Sequence, residues 1–291
     1  MSELGSIAVL GLGAMGSRIA ARLRGAGHDV VVYNRSPEPT EALLEVGARV
    51  AATPRAAAAE ADLVISMVTD DEASRVVWDA RETGALNGLR AGALALESST
   101  LSLAWTTELA TRVGQRGAAF LDAPVAGSRP QAEAGQLIYL VGGMPEDVAR
   151  VRPRLAPISE AVHHLGPVGA GMAMKLVVNA LFGAQVAALA ELLGIVRGAG
   201  LDERRMLELL GDLPVTSPAM KGICSLIASR SYGPMFPIDL VAKDLQYALA
   251  AAADFGAELP ATTAVARAYE HASRQGFGAD NIAGLAQLYD R

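Results

Sequence analysis

The stretch Ile7-Ala8-Val9-Leu10-Gly11-Leu12-Gly13-Ala14-Met15-Gly16, followed by an amphipathic run from Ser17 to Arg24, decides the fold. It reads as a short apolar strand, a G-x-G-x-x-G turn and a helix, the order that a dinucleotide site requires. Gly11 permits the tight turn, Gly13 lets the backbone approach a pyrophosphate, and Gly16 lets helix and strand pack closely. The start of the helix offers free N–H groups and a positive dipole end to the phosphates. Gly11, Leu12, Gly13, Ala14, Met15 and Gly16 are therefore the first candidate cofactor-binding residues.

Gly27 ends that helix, and Asp29-Val30-Val31-Val32-Tyr33 reads as the second strand. An NAD site usually carries an acidic residue about 20 positions beyond the glycines, where it binds the ribose 2′-OH. Here the strand ends in Asn34-Arg35-Ser36. A guanidinium and two small polar groups suit a 2′-phosphate and offer no carboxylate to repel it. This favours NADP(H), with NAD(H) as the alternative.

The α/β rhythm continues outward from there. Thr53-Pro54 predicts an N-cap and a proline in the first turn of an alanine-rich helix. Strands are predicted at 63–68, 93–97, 118–121, 136–141 and 161–165. Strands alternating with helices argue a doubly wound, Rossmann-type parallel sheet over residues 1–165. Ligands of such sheets bind beyond the carboxyl ends of the strands, so 67–69, 99–100 and 122–128 are expected to face the cofactor. Beyond Gly166-Pro167 no strand is predicted. Residues 166–291 read as an all-α domain entered by a long helix, with helices at 170–199, 202–211, 217–229, 238–255, 260–274 and 279–288. Leu176 to Val196 is apolar enough to mimic a membrane span. Its Asn179, Gln185 and Glu191 argue instead for a core helix buried among others, and for an oligomer contact.

Composition narrows the function. The 291 residues are 51% hydrophobic and 19% charged, which suits a globular chain with a large core. The net charge is −6 and no basic run exceeds a pair, so nucleic-acid binding has no electrostatic footprint. Cys224 is the only cysteine, and the histidines lack metal-ligand spacing, so neither a disulfide within the chain nor a metal site is expected. His163-His164 falls on the last predicted strand and reads as structural. The first strand follows Met1 closely and leaves no room for a signal peptide, which predicts a cytoplasmic protein without a membrane partner. No G-x-S-x-G elbow and no P-loop ending are present.

Of the 25 basic residues only Lys175, Lys221 and Lys243 are lysines. Arginine does not deprotonate in a protein, so only these three can give and recover a proton. Lys175 is the strongest candidate. Gly171, Lys175 and Asn179 are spaced i, i+4, i+8 and share one helix face. The glycine is expected to leave space for a ligand, and Asn179 to orient the ammonium and bind a substrate hydroxyl. Lys243-Asp244 forms a second constellation, in which Asp244 could fix Lys243 toward the cofactor.

With these motifs the chain resembles the β-hydroxyacid dehydrogenase family, to which 3-hydroxyisobutyrate dehydrogenase and tartronate semialdehyde reductase belong. The resemblance covers nearly the whole chain. It rests on Gly11 to Gly16, on Asp122-Ala123-Pro124-Val125-Ala126-Gly127-Ser128 continuing to Ala134-Gly135-Gln136-Leu137, on Gly169-x-Gly171-x-x-x-Lys175 with Asn179, and on Lys243-Asp244-Leu245. Asn34-Arg35-Ser36, Gly127-Ser128-Arg129-Pro130 and Phe236-Pro237 are most similar to the NADPH-dependent glyoxylate/succinic semialdehyde reductase branch. The resemblance implies Lys175 as catalytic acid/base supported by Asn179. It implies substrate binding by Ala126, Gly127, Ser128 and Phe236, and cofactor contacts from Met67, Val68, Thr100 and Lys243. It also implies a small carboxylate-bearing substrate and a homodimer or homotetramer formed through the helical domain. Two positions depart from the family. Many members have serine where Ala126 stands, and that hydroxyl contacts the substrate acid group, leaving backbone N–H groups and the Ser128 hydroxyl here. Glu97 replaces the usual aspartate before Ser98-Ser99-Thr100, with little consequence expected. Imine reductases are relatives without the catalytic lysine, so Lys175 argues against that branch. A non-catalytic nucleotide-binding module and an NAD-dependent 3-hydroxy acid dehydrogenase are the competing readings.

Overall fold

The computed structural model describes residues 5–290. The chain forms two compact units, the first running to Lys175 and the second starting at Leu176. The last strand ends at Gly166, close to the predicted limit of the α/β half, but the start of the long helix packs with the first unit.

The first unit contains β1 (Ser6–Leu10), α1 (Gly16–Gly25), β2 (Asp29–Tyr33), α2 (Glu38–Glu45), β3 (Arg49–Val50), α3 (Pro54–Ala59), β4 (Leu63–Ser66) and α4 (Asp71–Asp79). It continues with β5 (Leu94–Glu97), α5 (Leu103–Gly114), β6 (Ala119–Asp122), β7 (Val125–Ala126), α6 (Arg129–Ala134), β8 (Leu137–Gly142), α7 (Pro145–Leu155) and β9 (Ser159–Gly166). The described strands form one sheet in the order β3-β2-β1-β4-β5-β6-β8-β7, with β9 also paired to β8. From β3 to β6 every pairing is parallel. The expected doubly wound parallel sheet is present, and at its far end β8 runs antiparallel to β6 and β7 while β9 pairs parallel to it. The reason is local. The β7 strand and α6 lie between β6 and β8, and this connection brings β8 back in the opposite sense instead of carrying it over as a crossover helix would. The two-residue strands β3 and β7 were too short for any periodicity to announce.

Both faces of the sheet are covered. Ile7, Val9, Val30, Val32, Leu63 and Ile65 pack beneath Ile19 and Leu23 of α1, while Ala8, Leu10, Val31 and Val64 face Trp78 and Trp105 on the other side. Alternate residues of one strand thus enter opposite cores, which is why these strands read as unbroken apolar runs. The predicted cap at α3 is present, with the Thr53 hydroxyl accepting from the Ala56 N–H at 3.1 Å. His163 and His164 do lie on β9, where the His164 imidazole Nε2 meets the Gly143 carbonyl at 2.9 Å.

The second unit is built from α8 (Ala170–Gly198), whose first residues belong to the first unit, and from α9 (Glu203–Asp212), α10 (Pro218–Ala228), α11 (Ile238–Asp254) and α12 (Pro260–Ala272). The helix predicted at 279–288 is instead 3-10 over Ile282–Tyr289, preceded by a π-type turn at Ser273–Phe277. Gly276 has φ +92° there, a left-handed step that breaks the α-ladder. The helix α8 is long and apolar enough to meet the length and composition test for a membrane span. Val186, Ala190 and Leu193 are buried in the core of the helical unit, together with Val241, Leu245 and Tyr269. The expected burial on nearly all sides is not found. Leu181 is 61% and Ile195 69% exposed, and Val177 and Leu192 are exposed as well. A helix of 29 residues is roughly 40 Å long, more than one small helical core can wrap.

Candidate active site

The glycine turn stands at the switch point of the sheet, where β1 is flanked by β2 on one side and β4 on the other. The Gly11 N–H donates to the Tyr33 carbonyl and the Met67 N–H to the Leu10 carbonyl, both at 2.9 Å, so three strand ends are tied together. Gly11 has φ +93°, and a Cβ there would run into the Met67 carbonyl and, at 2.9 Å, the Val68 side chain. A Cβ on Gly16 would strike the Gly11 carbonyl. Gly13 differs: nothing lies within 4 Å of where its Cβ would stand. The turn is closed on its protein side and open at Gly13, a cradle that fits the phosphates of a dinucleotide.

At the end of β2, Asn34 is half-buried and serves the turn itself. Its Oδ1 accepts from the Leu12 N–H at 2.9 Å, and its Nδ2 donates to the Ser36 carbonyl at 2.9 Å and hydroxyl at 3.2 Å. Asn34 and Ser36 therefore brace the loop, while Arg35 is exposed between them. The carboxylate that would hold a ribose 2′-OH is absent from this strand end.

The next strand ends carry two buried acids in register, Glu97 of β5 and Asp122 of β6. Both are 0% exposed. The Asp122 carboxylate accepts the Gly169 and Met172 N–H groups, each at 2.8 Å. It thereby closes the first turn of α8, the helix that bears Lys175. Burial pushes Asp122 up to about 6, against the pull of these backbone donors. Glu97 accepts the Trp78 indole N–H at 2.8 Å, the Ser74 hydroxyl at 3.0 Å and the Ser99 N–H at 3.0 Å. Burial raises its carboxyl too, opposed by hydrogen bonds from Ser99, Trp78 and Ser74. With these three partners the Glu97 side chain organises its surroundings. Met67 and Val68, beyond β4, are half-buried. The Val68 N–H donates to the Ser99 hydroxyl at 2.8 Å, next to Thr100.

Gly171 corrects an expectation. A Cβ there would lie 2.7 Å from the Asp122 carbonyl, 2.9 Å from the Gly142 N–H nitrogen and closer still to the Leu140 carbonyl. The glycine lets α8 sit on the backbone of β6 and β8; it does not make room for a ligand. Lys175 follows one turn later and is half-buried.

Asn179, a further turn along α8, is 5% exposed, and its Nδ2 donates to Asp244 Oδ2 at 2.5 Å. Asp244 is 2% exposed, and its Oδ1 pairs with Lys243 Nζ at 3.0 Å. The ammonium also lies 4.8 Å from the centre of the Tyr247 ring. Asn179, Asp244 and Lys243 therefore form one polar cluster within the helical unit. Lys221, by contrast, makes an exposed pair with Asp212 at 2.7 Å. Phe236 is half-buried against the helical core.

The loop 126–128 follows β7. Ala126 and Ser128 are half-buried, Gly127 is exposed with φ +121°, and Ser128 caps α6. The Ser128 N–H donates to Gln131 Oε1 at 2.9 Å. One of the backbone donors expected to receive a substrate carboxylate is thus engaged by the cap. Sequence reasoning named Asp122 and Glu97 only as motif positions and gave neither a role of its own, although an acid closing an apolar strand was a signal, since such a group must find partners when buried.

A glycine cradle at a sheet switch point, with a lysine-bearing helix anchored to the neighbouring strand ends, defines an oxidoreductase of the dinucleotide-binding class. Residues 6–166 match the family described as the NAD binding domain of 6-phosphogluconate dehydrogenase. Residues 169–289 match the one described as NAD-binding of NADP-dependent 3-hydroxyisobutyrate dehydrogenase. The chain is 32% identical over 289 residues to glyoxylate/succinic semialdehyde reductase 2, chloroplastic, of Arabidopsis thaliana, covering 98% of this chain and 80% of that one. It is 29% identical over 286 residues to 2-(hydroxymethyl)glutarate dehydrogenase of Eubacterium barkeri, covering 98% and 95%. Among solved structures, 3-hydroxyisobutyrate dehydrogenase of Mycobacterium tuberculosis with L-serine superposes with a TM-score of 0.87 at 29% identity, over 99% of both chains. The chain belongs to the β-hydroxyacid dehydrogenase family.

Proposed function

We propose that this protein is a cytoplasmic, NADP(H)-dependent enzyme that interconverts a short β-hydroxy acid and the matching aldehyde acid, in the manner of a semialdehyde reductase. The observation that carries the cofactor half is Arg35, an exposed guanidinium at the end of β2 where no carboxylate stands. Gly11 to Gly16 would hold the pyrophosphate, Arg35 and Ser36 the 2′-phosphate, and Met67, Val68, Thr100 and Lys243 the remainder. The bound nicotinamide supplies or accepts the hydride.

The chain's own residues do the rest. In reduction the Lys175 ammonium polarises the substrate carbonyl oxygen and gives it a proton. In oxidation the neutral amine takes the proton back from the hydroxyl. Asn179, its amide fixed by Asp244, holds that oxygen in line. The substrate carboxylate falls to the Gly127–Ser128 turn and the Ser128 hydroxyl, since Ala126 has no hydroxyl and the Ser128 N–H is held by Gln131. Losing one donor to a charged group costs about 1–3 kcal/mol, which favours substrates with added contacts, Phe236 among them. The exposed apolar residues of α8 support a homodimer or homotetramer, and the net charge of −6 gives no support to a nucleic-acid partner. The partner is a small carboxylate rather than a membrane.

Initial rates on a panel of short semialdehydes and hydroxy acids, with NADPH against NADH, test the reading. Higher kcat/KM with NADPH is expected; a preference for NADH overturns the role of Arg35. No turnover on any member with either nucleotide overturns the enzyme.

A further inference from the structure

Glu97 sits in a chain of hydrogen bonds that the proposed reaction does not use. On one side, its carboxylate receives the Trp78 indole N–H and the Ser74 hydroxyl, and Ser74 Oγ in turn accepts the Trp105 indole N–H at 2.9 Å. On the other side it receives the Ser99 N–H, and the Ser99 hydroxyl oxygen accepts the Val68 N–H. Trp105 is capped from outside by the Arg75 guanidinium, 3.9 Å from the ring centre. The chain therefore runs from two indole rings between α4 and α5, through one buried acid, to the loops that leave β4 and β5.

A buried carboxylate is costly to desolvate, and an apolar side chain of similar size would fill the same space at less cost. Retaining it makes sense if it fixes something an apolar group could not. What it fixes is the backbone of Ser99 and, through the Ser99 hydroxyl, that of Val68. These are the strand-end segments beside Gly11, where a Cβ would touch Met67 and Val68. Ligands of doubly wound sheets bind at such strand ends.

We infer that Glu97 is a positioning residue for nucleotide binding, holding the Val68 and Ser99–Thr100 loops in the geometry that receives the cofactor. The inference rests on the proposed NADP(H) site. The chemistry requires an acceptor on both sides of the carboxylate. In Glu97→Gln one end of the amide is a donor, so it must face either the Ser99 N–H or the Trp78 N–H, and one of the two bonds is lost. Ser99→Ala removes the Ser99 hydroxyl, and with it the link to Val68 and the side-chain bond to Glu97, but leaves Trp78, Ser74 and the Ser99 N–H bonded to Glu97, which keeps a folded variant available if Glu97→Gln fails to fold.

The test uses the two tryptophans, which are the only ones in the chain and whose indole N–H groups both end in this network. NADPH is titrated into the wild-type protein and the variants while tryptophan emission is followed, and KM for substrate is measured at saturating NADPH. In the wild type, NADPH should quench the emission in a saturable way. In Glu97→Gln and Ser99→Ala the NADPH Kd should rise about 10-fold, the loss of one charge-assisted hydrogen bond, with substrate KM changed less than about 2-fold. Glu97→Asp, which keeps acceptors on both sides, should recover part of the affinity. Folded variants with unchanged NADPH Kd overturn the positioning role and leave the NADP(H) reading intact. A wild-type protein that shows no quenching with NADPH or NADH removes the nucleotide site itself.

Discussion

Gly13 and Gly171 are both glycines in motifs that signal a ligand site, and they stand in opposite surroundings. Nothing lies within 4 Å of the Cβ position at Gly13, whereas Gly171 is pressed against the backbone of Leu140, Asp122 and Gly142. The first is a glycine for approach from outside, the second a glycine for packing within the fold. Spacing in the sequence does not separate the two, because in either case the only requirement is the absence of a side chain. The same contrast holds for the polar groups nearby. Arg35 is exposed at a strand end, while Asp122 is turned inward to hold α8.

Four experiments break or sharpen that contrast. The largest effect belongs to the residue that α8 delivers: Lys175→Ala should lower kcat by about 10³-fold while leaving NADPH binding within about 2-fold, as for loss of a general acid. Steady-state rates and a nucleotide titration check it, and retained kcat refutes the acid/base role. Next comes Gly171→Ala, where the added methyl has only backbone to meet and the helix start must shift. Overpacking of this kind costs about 1–3 kcal/mol, read from urea unfolding. If stability is unchanged but substrate binding is lost, Gly171 belongs to the ligand after all. Gly13→Ala should do the reverse, weakening NADPH about 10-fold with stability altered by less than about 0.5 kcal/mol. Equal losses at Gly13 and Gly171, in both readouts, would erase the distinction.

The shallowest effect is in pH. Asp122 is raised to about 6 from an ordinary value of 3.8, so between these values the folded chain holds a proton that the unfolded chain has released. The associated stability is present below 3.8 and is lost as pH rises through about 6. Asp122→Asn removes this titration, while the other carboxylates titrate in both proteins and cancel. The stability of the wild type minus that of the variant should therefore fall between pH 4.5 and 6.5, and a flat difference would count against the raised value.

The glycine turn, the order of strands and helices and the lysine-bearing helix were legible because each is written in local sequence. Ile7 to Gly16 carries its periodicity and its turn chemistry within ten residues, and the Thr53-Pro54 cap needs only its own first turn. The antiparallel return of β8 was not legible, since it depends on which strand neighbours which across the sheet. Nor was the exposed side of α8, where Leu181 and Ile195 look like core residues until the extent of the helical core is known. The partners of Glu97 come from α4 and the Ser99 turn, and that of Asn179 from a helix 65 positions away.

Sequence by itself settled that a strand, a glycine turn and a helix open the chain, that strands give way to helices after Gly166, and that the family motifs run along nearly its full length. Tertiary structure alone decided what each polar group is for. Asp122 became a helix anchor, Glu97 a buried brace and Asp244 the partner of Asn179, because a buried charge is defined by the donors that surround it, and those are assembled only when distant segments meet.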